Sequence, residues 1–355
     1  MTSPRPEAAA DAPVPGDTLL ETSALTKHFK LGGTFSRRSL HAVDDVTLSV
    51  GRSEIVALVG ESGSGKSTLA RLLARVYRPT SGEIRYLGRS LNEMRTRRQS
   101  MAYRGDVPMV FQDPFSSLNP AFRVSHGIMR ALALHRPDVP RSARRAEAAR
   151  LVESVGLTPG QEILDRYPYE LSGGQRQRIG FAQALAYEPT LIIADEPVSM
   201  LDVSVRIGLL NLMADLRDRR GVSFLYITHD LASARYISDR VLVMYAGHIV
   251  EAGPTEDVLA APKHPYTRLL VSAAPDPRAE VVADPEAAAG EPPRVIDPEP
   301  GCRFRGRCPL AIPECAAADP PLRELAPNHR AACIVADTPR DPATREEPAR
   351  LTDAR

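Results

Sequence analysis

The chain has 355 residues, 43% of them apolar, and 45 basic side chains nearly cancel 44 acidic ones to leave a formal charge of +1. That length and content can bury one large core or two modest ones, while the near-zero charge gives no general attraction to nucleic acid or to an anionic membrane. No apolar run approaches the ~18 residues that span a bilayer, and the N-terminus lacks the charged-then-apolar order of a signal peptide. A soluble cytoplasmic protein that meets membranes only through other proteins is therefore expected.

Residues 1–17 carry four prolines among small and charged residues, too little apolar surface to offset the entropy of ordering, and are expected to be a disordered lead. From residue 18 to 274, short β-branched runs alternate with amphipathic stretches, which predicts an α/β unit with a largely parallel sheet. Strands are expected at 42–50, 54–59, 83–86, 107–111, 191–195, 224–227 and 241–244, the central ones apolar on both faces. Between about 113 and 188 the pattern turns helical, with 141–155 rich in Arg, Ala and Glu, so an inserted helical subdomain is predicted. A short helix at 266–272 precedes a stretch rich in Pro, Ala and acid at 275–300 that reads as a linker. The four cysteines fall in 301–335, and 336–355 reads as a frayed tail.

Four motifs carry chemistry. Gly60-Glu61-Ser62-Gly63-Ser64-Gly65-Lys66-Ser67 fits G-x-x-x-x-G-K-[ST] between a strand and a helix, with Thr68 following. Its glycines turn successive amide N–H groups toward one anion, Lys66 meets the β- and γ-phosphates, and Ser67 can ligate Mg²⁺. The strand ending at Asp195-Glu196 delivers two carboxylates to the same sheet edge. Asp195 is suited to hold Mg²⁺ and Glu196 to orient or deprotonate an attacking water. Ser172-Gly173-Gly174-Gln175 opens a helix with an N-cap serine and free backbone donors, a second anion-binding helix start that one site has no use for. His229 follows the strand at 224–227, where it is placed to contact a γ-phosphate. Gln112, ending the strand at 107–111, is placed to touch Mg²⁺ or the water. The other histidines read as solvated or core.

In this order the residues resemble the ABC ATPases over 19–272. Walker A lies at 60–67, a Q-loop at Gln112, the signature at 171–175, Walker B at 191–196, a D-loop at Ser199-Met200-Leu201-Asp202 and an H-loop at His229. Phe29 corresponds to the aromatic that stacks on adenine, although its residue type fits a core position equally well. Phe111 to Pro120, His264-Pro265-Tyr266-Thr267 and the cysteine segment resemble the oligopeptide/dipeptide importer subgroup, whose pattern nickel importers share. Met200 stands where the family has Ala, and Gln183 where it has Arg.

The resemblance implies a P-loop NTPase fold, with a RecA-like core, an antiparallel β subdomain and an inserted α-helical subdomain, plus a small cysteine-containing C-terminal extension. It further implies an ATPase with ATP and Mg²⁺ as ligands and a peripheral position on the cytoplasmic face of the membrane. Its partners would be a second ATP-binding subunit, a paralogue in preference to an identical copy, two transmembrane permease subunits and, through the complex, a solute-binding protein. Peptide is the favoured solute. A soluble ABC ATPase of translation or repair, or a non-hydrolysing regulatory subunit, would be the competing readings. One set of motifs without basic excess speaks against the first, and Glu196, His229 and Gln112 against the second.

Cys302, Cys308, Cys315 and Cys333 are spaced C-x5-C-x6-C-x17-C, unlike the paired C-x2-C knuckles of zinc ribbons. Four thiolates suit a [4Fe–4S] cluster, which the resemblance also favours; Zn²⁺ and a metal-free segment are the alternatives.

Overall fold

The structure is a computed structural model that describes residues 18–32, 38–112, 118–273 and 295–336. The lead at 1–17, most of the expected linker and the tail from 337 lie outside these residues. The elements begin with β1 (Thr18–Lys30), β2 (Ser39–Gly51), β3 (Ile55–Val59), α1 (Lys66–Leu73), β4 (Ser81–Tyr86), β5 (Arg89–Ser90), α2 (Arg97–Asp106) and β6 (Met109–Val110). The helical insertion follows as α3 (Val124–His135), α4 (Arg144–Ser154), α5 (Gly160–Asp165) and α6 (Gly173–Leu185). The chain continues through β7 (Leu191–Asp195), α7 (Val203–Arg220), β8 (Ser223–Thr228), α8 (Leu231–Ile237), β9 (Arg240–Tyr245), β10 (His248–Pro254), α9 (Thr255–Ala260) and α10 (Pro265–Ala273). It closes with the hairpin of β11 (Arg323–Ala326) and β12 (His329–Ala331).

One sheet has the order β11-β12-β10-β9-β3-β8-β7-β6, parallel from β9 to β6, and β1, β2, β4 and β5 form a separate antiparallel sheet. Strands β3, β7 and β8 are buried along their whole length, as sequences apolar on both faces require when helices and the second sheet cover them. Ile128 of α3, Leu132 of α3, Val152 of α4 and Ile163 of α5 join the core beneath the sheet edge, so the insertion shares that core. Gln183 of α6 is accommodated by Gly127 of α3, where a Cβ would sit only 1.9 Å from its amide nitrogen.

Two expectations change. The strand expected at 107–111 shrinks to Met109–Val110, because β6 is an edge strand paired only with β7, and Phe111 turns out to solvent. The cysteine segment is not separate from the core. Strand β12 pairs with β10 and extends the main sheet, and the end of the expected linker is pinned, with Ile296 bridging Leu40 and the Asp297 carboxylate accepting the Ser39 N–H at 2.9 Å.

Three carboxylates fasten this segment. Glu251, fully buried in β10, accepts the Lys263 and His264 amides at 2.7 and 2.9 Å and meets His329 Nε2 at 2.6 Å. Asp44 of β2 meets His41, His28 and the Arg303 guanidinium. Burial alone would raise its carboxyl, but His248, His41 and Arg303 hold it far below the usual range. Glu61 meets Arg307. Of the seven histidines read as solvated or core, His28, His41 and His248 gather around Asp44, His264 and His329 are buried, His126 stacks on Phe122 and His135 meets the Tyr187 ring edge-on.

His264 is 1% exposed and its Nδ1 accepts the Tyr266 N–H at 3.0 Å, a role that needs a neutral ring. Burial lowers its pKa to about 4, against the opposing pull of Glu251, whereas an unfolded histidine titrates near ~6.5. Between those values the unfolded chain binds more protons, so this stability is complete above about pH 6.5 and is lost as pH falls toward 4. Thermal unfolding at pH 7 and pH 5 should show a loss of about 2 kcal/mol from this residue. His264→Asn, which keeps an acceptor, should flatten that part of the pH dependence.

Candidate functional site

The loop between β3 and α1 is pressed between two strands. A Cβ on Gly60 would lie 2.2 Å from the Met244 carbonyl of β9, and one on Gly65 2.2 Å from the Ala42 carbonyl of β2, with both residues at positive φ. Only glycine fits at either position. Ser62 and Gly63 are exposed at the tip of the loop, while Ser64 is buried and its carbonyl accepts the Gly247 N–H. The result is a cradle at the start of α1, with Thr68 in that helix's first turn.

Lys66 is 4% exposed, and its ammonium donates to the Gly60 and Glu61 carbonyls at 2.7 and 2.8 Å. Burial lowers its pKa from the ordinary value, opposed by Glu196, Asp195 and Glu61. The Ser67 hydroxyl donates to Asp195 Oδ1 at 3.2 Å, which brings a hydroxyl and a carboxylate from β7 to the mouth of the cradle. Burial raises the Asp195 carboxyl, with Ser67 opposing. A hard oxygen pair of this kind fits Mg²⁺, whose charge would relieve the buried carboxylate.

Glu196 sits just beyond β7 with a left-handed φ of 46°, fixed by its N–H donating to the Ile227 carbonyl of β8 at 2.9 Å. Gln112 Nε2 donates to its carboxylate at 2.8 Å and His229 Nδ1 lies 3.2 Å from the other oxygen. Three separate sheet ends therefore place an amide, a carboxylate and an imidazole in one row. Such a carboxylate can accept a proton from a water beside the cradle.

Ser172 caps α6 in a reciprocal capping box: its hydroxyl accepts the Gln175 N–H at 3.3 Å, and the Gln175 side chain accepts the Ser172 N–H at 3.0 Å. Gly174 lets α7 approach, since a Cβ there would meet Val205 at 2.3 Å; Gly173 faces Leu201. These hydrogen bonds close on the helix start itself and leave the cradle of Lys66 apart. Asp202 is the exposed N-cap residue of α7, and Met200 beside it is 63% exposed. Phe29, half-buried in β1, packs edge-on against Tyr77 with centroids 5.5 Å apart.

The four cysteine thiols line one cavity with Phe304, His264 and Val335. Burial pushes Cys308 up to about 11, and raises Cys302 and Cys333 as well, so a metal centre there would have to displace thiol protons.

Sequence reasoning missed Arg307 and Tyr266, which contact the phosphate loop, and Arg303, which binds Asp44. The run Cys302-Arg303-Phe304-Arg305-Gly306-Arg307-Cys308, with a cation at every second position, was the signal available.

The family model described as ABC transporter matches residues 43–199, and that described as oligopeptide/dipeptide transporter, C-terminal region, matches 250–315. The chain is 44% identical over 317 residues to the putative oligopeptide transport ATP-binding protein YkfD of Bacillus subtilis, covering 89% of this chain and 94% of that protein. It is 44% identical over 326 residues to the oligopeptide transport ATP-binding protein OppF of Escherichia coli, covering 90% and 96%. Among solved structures, the ATP-binding cassette MJ0796, a dimer in a post-hydrolysis state bound to ADP and Pi, aligns with a TM-score of 0.59 at 26% identity, over 67% of this chain and 99% of that one.

If Asp195 and Ser67 hold the cation, Mg²⁺ should tighten binding of a fluorescent ATP analogue to the native chain by about tenfold or more. Asp195→Asn should abolish that Mg²⁺ effect while metal-free binding changes little.

Proposed function

We propose that this chain, which belongs to the ABC transporter ATP-binding family, couples ATP hydrolysis to the import of oligopeptides or dipeptides. It would act from the inner face of the membrane, through two permease subunits fed by a solute-binding protein. No helix among the described residues is long and apolar enough to cross a membrane, so the pathway itself belongs to those subunits. The peptide reading is supported by the match over 250–315 and by the relatives' names.

The observation that carries the ATPase mechanism is the clasp on Glu196 by Gln112 and His229 beside Lys66. In the proposed step, loop amides and Lys66 bind the β- and γ-phosphates, and Ser67 and Asp195 hold the cation that neutralises their charge. Glu196 takes a proton from the water as it attacks the γ-phosphorus; the bond to the β–γ bridging oxygen breaks and ADP leaves. His229 keeps Glu196 oriented on one side and Gln112 on the other, and Phe29 offers a ring to adenine. Residues 18–274 are assigned to this nucleotide-binding unit, and 301–335 to an extension packed on it.

The self-contained start of α6 supports a head-to-tail dimer, in which Ser172 to Gln175 complete the partner's nucleotide site and Asp202 lies at the joint. Exposed Met200, Val203 and Ile207 offer apolar surface there. A paralogous second ATPase is favoured over an identical copy. Phe122, stacked on His126, and Tyr169, stacked on Tyr167, form an exposed aromatic patch on the helical insertion that suits a permease helix.

For the cysteines, the proposal is a [4Fe–4S] cluster held by Cys302, Cys308, Cys315 and Cys333, which would cross-link a region with little regular structure. Chain purified without oxygen should then carry iron and acid-labile sulfide in equal amounts, about four of each. One zinc per chain, or neither iron nor sulfide, would overturn that assignment.

Glu196→Gln in the copurified complex should slow ATP turnover at least about 100-fold while ATP still binds. Reconstituted in vesicles, the native complex should accumulate labelled oligopeptide only with ATP. Hydrolysis without accumulation would reject peptide as the solute.

A further inference from the structure

The phosphate loop is held from outside the nucleotide-binding unit as well as from within it. Glu61, its second residue, donates its N–H to the Tyr266 phenol at 2.8 Å, and its carboxylate takes two guanidinium nitrogens of Arg307 at 2.9 and 3.1 Å. The Glu61 carbonyl in turn accepts from Lys66. Arg307 lies one residue before Cys308, in the single turn 305–307. Its guanidinium lies 5.9 Å from the ring centre of Phe304, which is 1% exposed and lines the cysteine cavity. A path thus runs from the cysteine cavity through Phe304, Arg307 and Glu61 to the Lys66 ammonium.

Charge gives this path a direction. A carboxylate in the phosphate loop repels the polyphosphate it borders unless a cation neutralises it, and a two-pronged arginine does so at a fixed angle. Arg307 has no long helix or strand of its own to hold it; the cysteine-lined segment sets its place. We propose that the four-cysteine segment sets the ATP affinity of this chain, with Arg307 and Tyr266 as positioning residues acting through Glu61, so that disturbing the thiols weakens nucleotide binding. The inference rests on the nucleotide reading of the loop and adds its regulation.

The test is the dissociation constant for Mg-ATP of the full chain, measured by calorimetry, with unfolding temperature as a folding control. Arg307→Met should weaken binding about tenfold, and Arg307→Lys less. Glu61→Gln, being in the loop itself, sets its own reference affinity, and the double variant Glu61→Gln with Arg307→Met should bind like Glu61→Gln, since no charge is left to neutralise. Cys308→Ser should weaken ATP binding in the native background and have no effect in the Glu61→Gln background. A merely structural Arg307 would weaken binding equally in both backgrounds, which would overturn the proposal, as would an Arg307→Met variant that binds like native chain. If Cys308→Ser does not fold, Cys302→Ser replaces it, with the same expected loss and the same lack of effect in the Glu61→Gln background. Lys66→Ala serves as the reference: native-like ATP binding by that variant would reject the loop as the nucleotide site, whereas its loss alongside a native-like Arg307→Met rejects only the coupling.

Discussion

The amides at the start of α1 can face an anion only because the backbone of the phosphate loop lies against the backbones of two other strands. Gly60 rests on β9 and Gly65 on β2, each at a distance no side chain allows. This close approach fixes the loop relative to both sheets at once, and the remaining catalytic groups are placed by what those sheets do. Asp195 ends β7, and Glu196 and His229 directly follow β7 and β8, two largely apolar, fully buried strands that run through the interior and end at one edge. Lys66, whose charge would be costly to bury, is tolerated because two loop carbonyls and three nearby carboxylates surround it.

The parts of this arrangement that follow from local pattern were legible in the sequence. The loop, the acidic strand end and the N-cap serine each depend on a few consecutive residues, and β7 agrees with its expected bounds. Strand β1 was not legible, because repeated register shifts against β2 break the alternation that would announce it. Strand β10 escaped because its apolar run is short and interrupted by Glu251, whose burial makes sense only once His329 is known to sit against it. The strand expected to end at Gln112 was overestimated, since an edge strand is stabilised from one side only, and Gln112 lies two residues past its end.

The C-terminal segment was the least legible part, and the reason is physical. Besides the pairing of β12 with β10, its attachments are side-chain contacts across long separations: Asp44 to Arg303 over 259 residues and Glu61 to Arg307 over 246. No periodicity encodes such pairs. What the sequence did carry was composition, with cations alternating between two cysteines, and the fold matches two of them, Arg303 and Arg307, with carboxylates from β2 and the phosphate loop. Each is at least partly buried, where an unmatched charge is far more costly than on the surface, so the segment and the core specify one another.

The pairing of β10 with β12 has a consequence for how the chain comes into being. At roughly 5–20 residues added per second, the phosphate loop leaves the ribosome about 10 to 50 seconds before Arg307 exists to meet it. Glu61 is an unmatched charge throughout that interval, and β10, made about 75 residues before β12, is an open edge for roughly 4–15 seconds until its partner strand exists. The newborn protein is thus prone to pair with neighbouring strands until its last residues arrive. Synthesis of the final forty or so described residues completes the sheet and the nucleotide site in a single event.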